Sequence, residues 1–213
     1  MISPSQAALL IIDMQHGFLD KDSTLCIAGA KATIPACARA LEQARNLGIP
    51  VFHIYREYAA DGSDVESTRF ETWLAGGKPL SKASAAANSL DFPSEIAPKA
   101  GDQVVMKPRF SAFFATDLNE TLREEGISTV LLLGTTTPNC IRSSCYDALS
   151  LNYNVVVVED CTSSRTDAVQ AANIEDMAHI GAQIIDTQEF CEQGLTNVRD
   201  IVGEHQLQVA KEN

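Results

Sequence analysis

The chain has 213 residues, of which 45% are hydrophobic and 21% are charged. These values are typical of a folded globular protein and argue against disorder. The formal net charge is −12, and the 16 Lys and Arg residues form no basic run. An acidic chain without a basic patch is repelled by nucleic acid and by anionic membrane surfaces, so we expect neither as a partner.

The beginning of the chain contains no targeting segment that we can recognise. The first apolar run, Ala7 to Ile12, is too short for a membrane span and ends at Asp13. We therefore expect a cytoplasmic protein. Six cysteines occur at irregular spacing without any Cys-x-x-Cys pair, which favours reduced thiols over a disulfide framework.

Strand-like apolar runs alternate with helical patterns along the chain. Strands are predicted at 7–13, 50–56, 102–107, 128–133, 153–159 and 182–186, and helices at 31–47, 117–125, 139–151 and 166–180, with a last helix after Asn197. Strands that are apolar on both faces are typical of a parallel sheet covered by helices. We predict a single three-layer α/β domain over residues 1–213 with about six parallel strands.

The segment 58–99 interrupts this alternation. It is rich in Gly, Ser, Ala and Pro, and it contains the one tryptophan of the chain, Trp73. Long excursions in compact domains are often lids or subunit contacts. We expect one of these two roles for residues 58–99.

Three chemically reactive side chains fall at the carboxyl ends of predicted strands. Asp13 ends the first strand, Lys107 ends the strand that begins at Asp102, and Cys140 opens a helix after the strand that ends at Leu133. Ligands of open α/β sheets bind at these strand ends. A thiol is activated by a cation or a helix N-terminus, and a nearby carboxylate can take its proton. Each residue alone also has an ordinary structural interpretation, as a cap, a solvated charge or a core thiol, and spacing alone does not decide between them.

Three motifs resemble those of the isochorismatase-like cysteine hydrolase family. They are Asp13-Met14-Gln15 with Phe18 beyond, the run from Lys107 to Leu118, and the run from Gly134 to Ala148 that contains Cys140. The resemblance implies strand order 3-2-1-4-5-6 and a catalytic triad of Asp13, Lys107 and Cys140. It also implies a cis peptide between Thr135 and Thr136, with the backbone N–H groups of Thr136 and Cys140 as the oxyanion hole.

The resemblance further implies hydrolysis of the C–N bond of a small amide or ureide through a thioester, without a cofactor. Nicotinamidase-type members bind a metal through several histidines, whereas this chain has only His53 in that region, inside a strand, so we predict no metal. Two alternatives stay open: an isochorismate-type vinyl-ether hydrolase, and a binding protein on the same fold that has lost turnover.

Candidate substrate-binding residues follow from their positions near the strand ends. They are Gln15, Phe18, Arg56, Arg109 and Phe113. Each also has an ordinary interpretation as a core or surface residue. Family members usually associate, so we expect a homo-oligomer, a dimer or a tetramer.

Overall fold

A computed structural model describes residues 2–212. Its centre is one sheet of six parallel strands in the order β3-β2-β1-β4-β5-β6. The strands are β1 Ala7–Ile12, β2 Val51–Tyr55, β3 Gln103–Met106, β4 Thr129–Thr135, β5 Asn154–Ser163 and β6 Gln183–Ile185. The predicted fold class and strand order are confirmed.

Helices cover both faces of the sheet. They are α1 His16–Leu19, α2 Ile34–Asn46, α3 Phe70–Ala75, α4 Leu118–Glu124, α5 Arg142–Ser150, α6 Asp167–His179, α7 Thr187–Gln193 and α8 Ile201–Glu212. One apolar cluster packs α2 and α7 on one face, and a second packs α4, α5 and α6 on the other. None of the helices within residues 2–212 is long and apolar enough to cross a membrane.

Several element boundaries differ from the predictions. The second helix starts later than predicted, at Ile34, after a 3-10 turn over Ala30–Thr33, because Pro35 has no N–H to donate and suits the first turn of a helix. Strand β5 runs to Ser163 instead of ending at Glu159, and strand β4 reaches Thr135. The exposed acids Glu159 and Asp160 hid this continuation from the hydropathy pattern, although the backbone pairing resumes beyond them.

Three short helices were missed. Helix α1 follows β1 directly and α3 lies inside the excursion, and neither is long enough to show a period. Helix α7 did leave a signal, because Asp186 caps it by accepting a hydrogen bond from the Glu189 N–H, and Gly194 ends it. This Asp-x-x-Glu pattern is a known helix start.

The excursion at 58–99 folds around a small apolar cluster of its own. The ring of Trp73 is almost fully buried and packs against Tyr58 at a centroid distance of 6.0 Å. The Trp73 indole N–H donates to the carbonyl of Pro79 at 2.8 Å. Phe18, from the segment after β1, joins this cluster, so the excursion is packed onto the carboxyl end of the sheet.

Candidate active site

The site lies where the strand order reverses between β1 and β4. Such a reversal opens a crevice at the carboxyl ends of parallel strands. Asp13 directly follows β1 and has a positive φ of 55°, which aspartate tolerates better than most residues. Gly134 lies beside it in β4, where an added Cβ would come within 2.1 Å of the Ile12 carbonyl oxygen. Glycine at this position therefore allows the two strand ends to approach closely.

Lys107 connects the other two members of the predicted triad. Its Nζ lies 2.7 Å from Asp13 Oδ2 and 3.6 Å from Cys140 Sγ, and it donates to the carbonyl oxygen of Arg109 at 2.9 Å. The lysine is fully buried, and it reaches this point from the end of β3 across the end of β2. The three sequence-predicted side chains are thus brought together in one place.

Asp13 is also buried, with only 1% of its surface exposed. Apart from the Lys107 ion pair, neither of its oxygens accepts a hydrogen bond of normal geometry within the described residues. Buried carboxylates are usually saturated with hydrogen bonds. An unsaturated one next to a thiol is able to exchange a proton with it.

Burial favours the protonated form of the Cys140 thiol. It raises the pKa to about 12; the negative charge of Asp13 adds to the rise and the positive charge of Lys107 opposes it. The nearby cation therefore favours the thiolate, as expected, but burial outweighs its effect. The sulfur needs a base at the moment of attack, and Asp13 is the carboxylate beside it.

Cys140 lies in a π-helical turn, Thr137–Ile141, that precedes α5. The peptide between Thr135 and Thr136 is cis, as the family resemblance implied. The Thr136 and Thr137 hydroxyls both donate to the Ser163 carbonyl oxygen at 3.0 Å, and the Thr135 hydroxyl lies 2.9 Å from that of Ser163. The end of β5 thus anchors the nucleophile loop through three successive threonines, a role for Ser163 that the sequence did not reveal.

A cavity of about 220 Å³ opens onto the thiol. It is small beside the roughly 300–1,000 Å³ of pockets for drug-sized ligands. Its walls are Asp13, Phe18, Thr24, Leu25, Cys26, Ile27, Arg69, Thr136, Asn139 and Cys140. A larger cavity of about 860 Å³ lies beside it and shares Cys26, but it touches none of the three triad residues.

Among the five candidate substrate-binding residues, only Phe18 lines the small cavity. Gln15 is fully buried, and its side-chain amide donates to the carbonyls of Arg56 and Leu90 and accepts from the Arg56 N–H. It fixes the end of β2 and does not face the cavity. Phe113 packs against Tyr153 at a centroid distance of 6.0 Å, in the helical layer over α4 and α5.

The two predicted arginines are also bound elsewhere. Arg56 is 2% exposed, and its guanidinium pairs with the Glu66 carboxylate and donates to the Tyr58 hydroxyl at 3.3 Å. Arg109 donates to the Asp64 carbonyl at 2.9 Å and so ties the lysine loop to the excursion. Gln15, Arg56, Arg109 and Phe113 thus lie outside the wall of the small cavity, and a substrate-binding role for them stays a prediction.

The histidine considered for metal binding belongs to another part of the molecule. His53 is fully buried, and its Nε2 lies 3.1 Å from Asp102 Oδ2. Within residues 2–212, no group of three or more His, Cys, Asp or Glu side chains is arranged to hold a metal ion.

A family model described as an isochorismatase domain matches residues 7–189. This chain belongs to the isochorismatase family. Family membership also makes the chain an isochorismatase-family hydrolase, in agreement with the sequence-based expectation.

Among its relatives, a protein of Arabidopsis thaliana named as a probable inactive nicotinamidase is 36% identical over 87% of this chain and 95% of its own length. The maleamate amidohydrolase of Pseudomonas putida is 32% identical over 87% of this chain and 85% of its own length. The crystal structure of an isochorismatase family protein from Desulfovibrio vulgaris is 38% identical, with a TM-score of 0.82 over 88% of this chain and 97% of that one.

Proposed function

We propose that this hydrolase cleaves the C–N bond of a small amide or ureide, with Cys140 as nucleophile, Asp13 as proton carrier and Lys107 as the group that holds both. The observation that carries the proposal is the position of the Lys107 ammonium, 2.7 Å from a carboxylate oxygen and 3.6 Å from the thiol sulfur. An amidohydrolase among the relatives, with similarity over most of the chain, supports the reaction class.

The reaction begins with a neutral thiol, because burial and Asp13 hold the pKa of Cys140 well above its ordinary value. As sulfur forms a bond to the carbonyl carbon, Asp13 takes the thiol proton. The carbonyl π electrons move to oxygen, and the backbone N–H groups of Thr136 and Cys140 stabilise the resulting oxyanion. Lys107 holds the Asp13 carboxylate beside the thiol through their ion pair and stabilises both groups through its charge.

Collapse of the tetrahedral intermediate breaks the C–N bond. Asp13 gives its proton to the leaving nitrogen, which departs as ammonia or an amine, and the acyl group stays on sulfur as a thioester. Water then attacks the thioester carbonyl and loses its proton to Asp13. Breakage of the C–S bond releases the acid, and the proton returns to sulfur, so the cycle needs no cofactor or metal.

A direct test compares two cysteines of the same helical segment. Cys140→Ser should lower turnover at least about 1,000-fold, because a hydroxyl in this site is a far weaker nucleophile. Cys145 is equally buried five residues later but does not line the cavity, so Cys145→Ala is the matched control and should keep its turnover.

The measurement is ammonia release from a panel of small amides and carbamoyl compounds, together with urea unfolding of each variant. A Cys140→Ser protein that folds normally and retains full turnover would refute the assignment of Cys140.

A binding protein without turnover remains a second candidate, favoured by the relative named as probably inactive. Isochorismate included in the panel tests the vinyl-ether alternative. A Cys140 thiol that a small haloacetamide does not alkylate near neutral pH would favour the binding protein. The cytoplasmic location, the homo-oligomeric state and the lid or contact role of residues 58–99 stay predictions.

A further inference from the structure

The excursion contributes one charged side chain to the catalytic cavity. Arg69, directly before α3, lines the cavity together with Asp13 and Cys140. Asp13 and Arg69 are the charged residues of the cavity wall, and Asp13 is already paired with Lys107. Arg69 therefore brings a positive charge that the catalytic centre itself does not neutralise.

The guanidinium of Arg69 has no acceptor among the described residues. Within residues 2–212 it forms no ion pair, and no side-chain hydrogen bond of it is found. The nearby carboxylate of Glu66 is held by Arg56 and Tyr58, and Asp64 Oδ1 accepts the Ala59 N–H at 2.8 Å. Both neighbouring acids are thus bound to other groups.

Arg69 is nevertheless held in place. Its guanidinium carbon lies 4.8 Å from the centre of the Phe110 ring, a cation–π contact that holds the group beside the ring without occupying its N–H donors. A guanidinium with free donors is suited to bind a carboxylate through two parallel hydrogen bonds.

Part of the cavity wall is apolar. Phe18, Leu25 and Ile27 form this part, and the whole cavity has only about 220 Å³. Such a space suits a short hydrocarbon chain with a polar group at each end. The amide carbonyl would lie at Cys140 and the anionic end at Arg69.

We propose that Arg69 is the specificity-determining residue of this site and selects substrates that carry a carboxylate: short-chain acids whose other end is an amide or carbamoyl group. This inference rests on the proposed function for the hydrolysis itself. The binding of the anion, however, is testable without any turnover.

The first experiment uses two alkylating agents that differ in charge. Iodoacetate and iodoacetamide each form an S–C bond with Cys140, break their C–I bond and release iodide, while the thiol proton is lost to solvent. Iodoacetate carries the carboxylate that Arg69 should attract. The rate ratio of iodoacetate to iodoacetamide at Cys140, measured by peptide mass spectrometry, should fall about tenfold in Arg69→Gln.

Arg69→Lys should restore part of the ratio, because it retains the charge but not the paired donors. Arg165 is exposed just beyond β5 at the same end of the sheet and is not part of the cavity wall, so Arg165→Gln is the charge-matched control and should leave the ratio unchanged. Unchanged iodoacetamide rates in Arg69→Gln would show that the site is still folded.

The second experiment compares succinamic acid with butyramide, which differ by one carboxylate. In Arg69→Gln, kcat/KM for the acid should fall about 10- to 100-fold, mainly through KM, and this loss should be much larger than any change for the neutral amide. Equal effects on both amides, or an unchanged alkylation ratio, would overturn the role of Arg69 and leave the hydrolase proposal intact. A changed ratio without hydrolysis of either compound would support Arg69 and count against the hydrolase.

Discussion

Two buried carboxylates in this protein have opposite surroundings. Asp102 lies directly before β3, at the amino end of the strand. It accepts hydrogen bonds from Arg45 Nε at 3.2 Å, from a second Arg45 nitrogen at 2.5 Å and from the Lys99 N–H at 2.9 Å. His53 Nε2 lies 3.1 Å from its Oδ2. Asp13, at the carboxyl end of β1, has one lysine beside it and a thiol that shares that lysine.

The difference distinguishes a structural carboxylate from a reactive one. Asp102 joins α2, β2 and the start of β3, and its oxygens are occupied by fixed donors, so it has little freedom to accept a further proton. Burial acts to raise its pKa, but hydrogen bonds from Arg45 and the Lys99 N–H outweigh this, and the pKa lies below its ordinary value. Asp13 retains free acceptor positions, which general acid–base catalysis requires.

The largest expected effect comes from removing the charge of Asp13. Asp13→Asn should lower kcat about 10²- to 10⁴-fold, the range that a positioned proton carrier contributes. Since the negative charge of Asp13 helps to raise the pKa of Cys140, its loss should lower that pKa and make alkylation by iodoacetamide near pH 7 faster. Stopped assays of hydrolysis and of alkylation on the same sample measure both changes.

Slower hydrolysis together with faster alkylation distinguishes a catalytic role of Asp13 from misfolding of the site. A misfolded site would lose hydrolysis and selective alkylation together. If Asp13→Asn hydrolysed the panel at the normal rate, another group would have to carry the proton, and the contrast between the two carboxylates would have no functional meaning.

A smaller and different effect is expected at the other carboxylate. Asp102→Asn removes the charge that Arg45 and His53 share, and it should lower the free energy of unfolding by about 1–3 kcal/mol while turnover stays near normal. Urea titration and the ammonia assay measure the two quantities. A large loss of turnover at unchanged stability would mean that the Asp102 contacts affect the geometry of the active site.

Some of these site features were predictable from the sequence and others were not. Asp13, Lys107 and Cys140 were predictable because the topology of a parallel sheet places strand ends at one edge, whatever the loops do. The ion pair of Arg56 with Glu66 was not predictable, because Glu66 lies in the excursion, whose path no periodic pattern determines. Arg69 and Phe110 meet across that same excursion, so their stacking left no signal in either local sequence.

The smallest expected effect is a pH dependence of stability at His53. Burial lowers the pKa of His53, and the hydrogen bond and charge of Asp102 only partly oppose this. Between its lowered folded pKa and the ordinary value near 6.5, the unfolded chain binds a proton that the folded chain does not. Acid therefore favours unfolding in this window, and the free energy of unfolding should decrease as the pH falls below about 6.5.

His53→Gln can still donate to Asp102 but does not titrate, so it should flatten this part of the profile. His205 is exposed on α8 and is not part of the His53–Asp102 contact, so His205→Gln is the matched control that should leave the slope as it is. Urea unfolding at half-unit steps from pH 7.5 to 5 measures the slopes. An unchanged slope in His53→Gln would assign the acid sensitivity of stability to other titrating groups. The Arg45–Asp102 ion pair would then be the part of the Asp102 contacts that matters for stability.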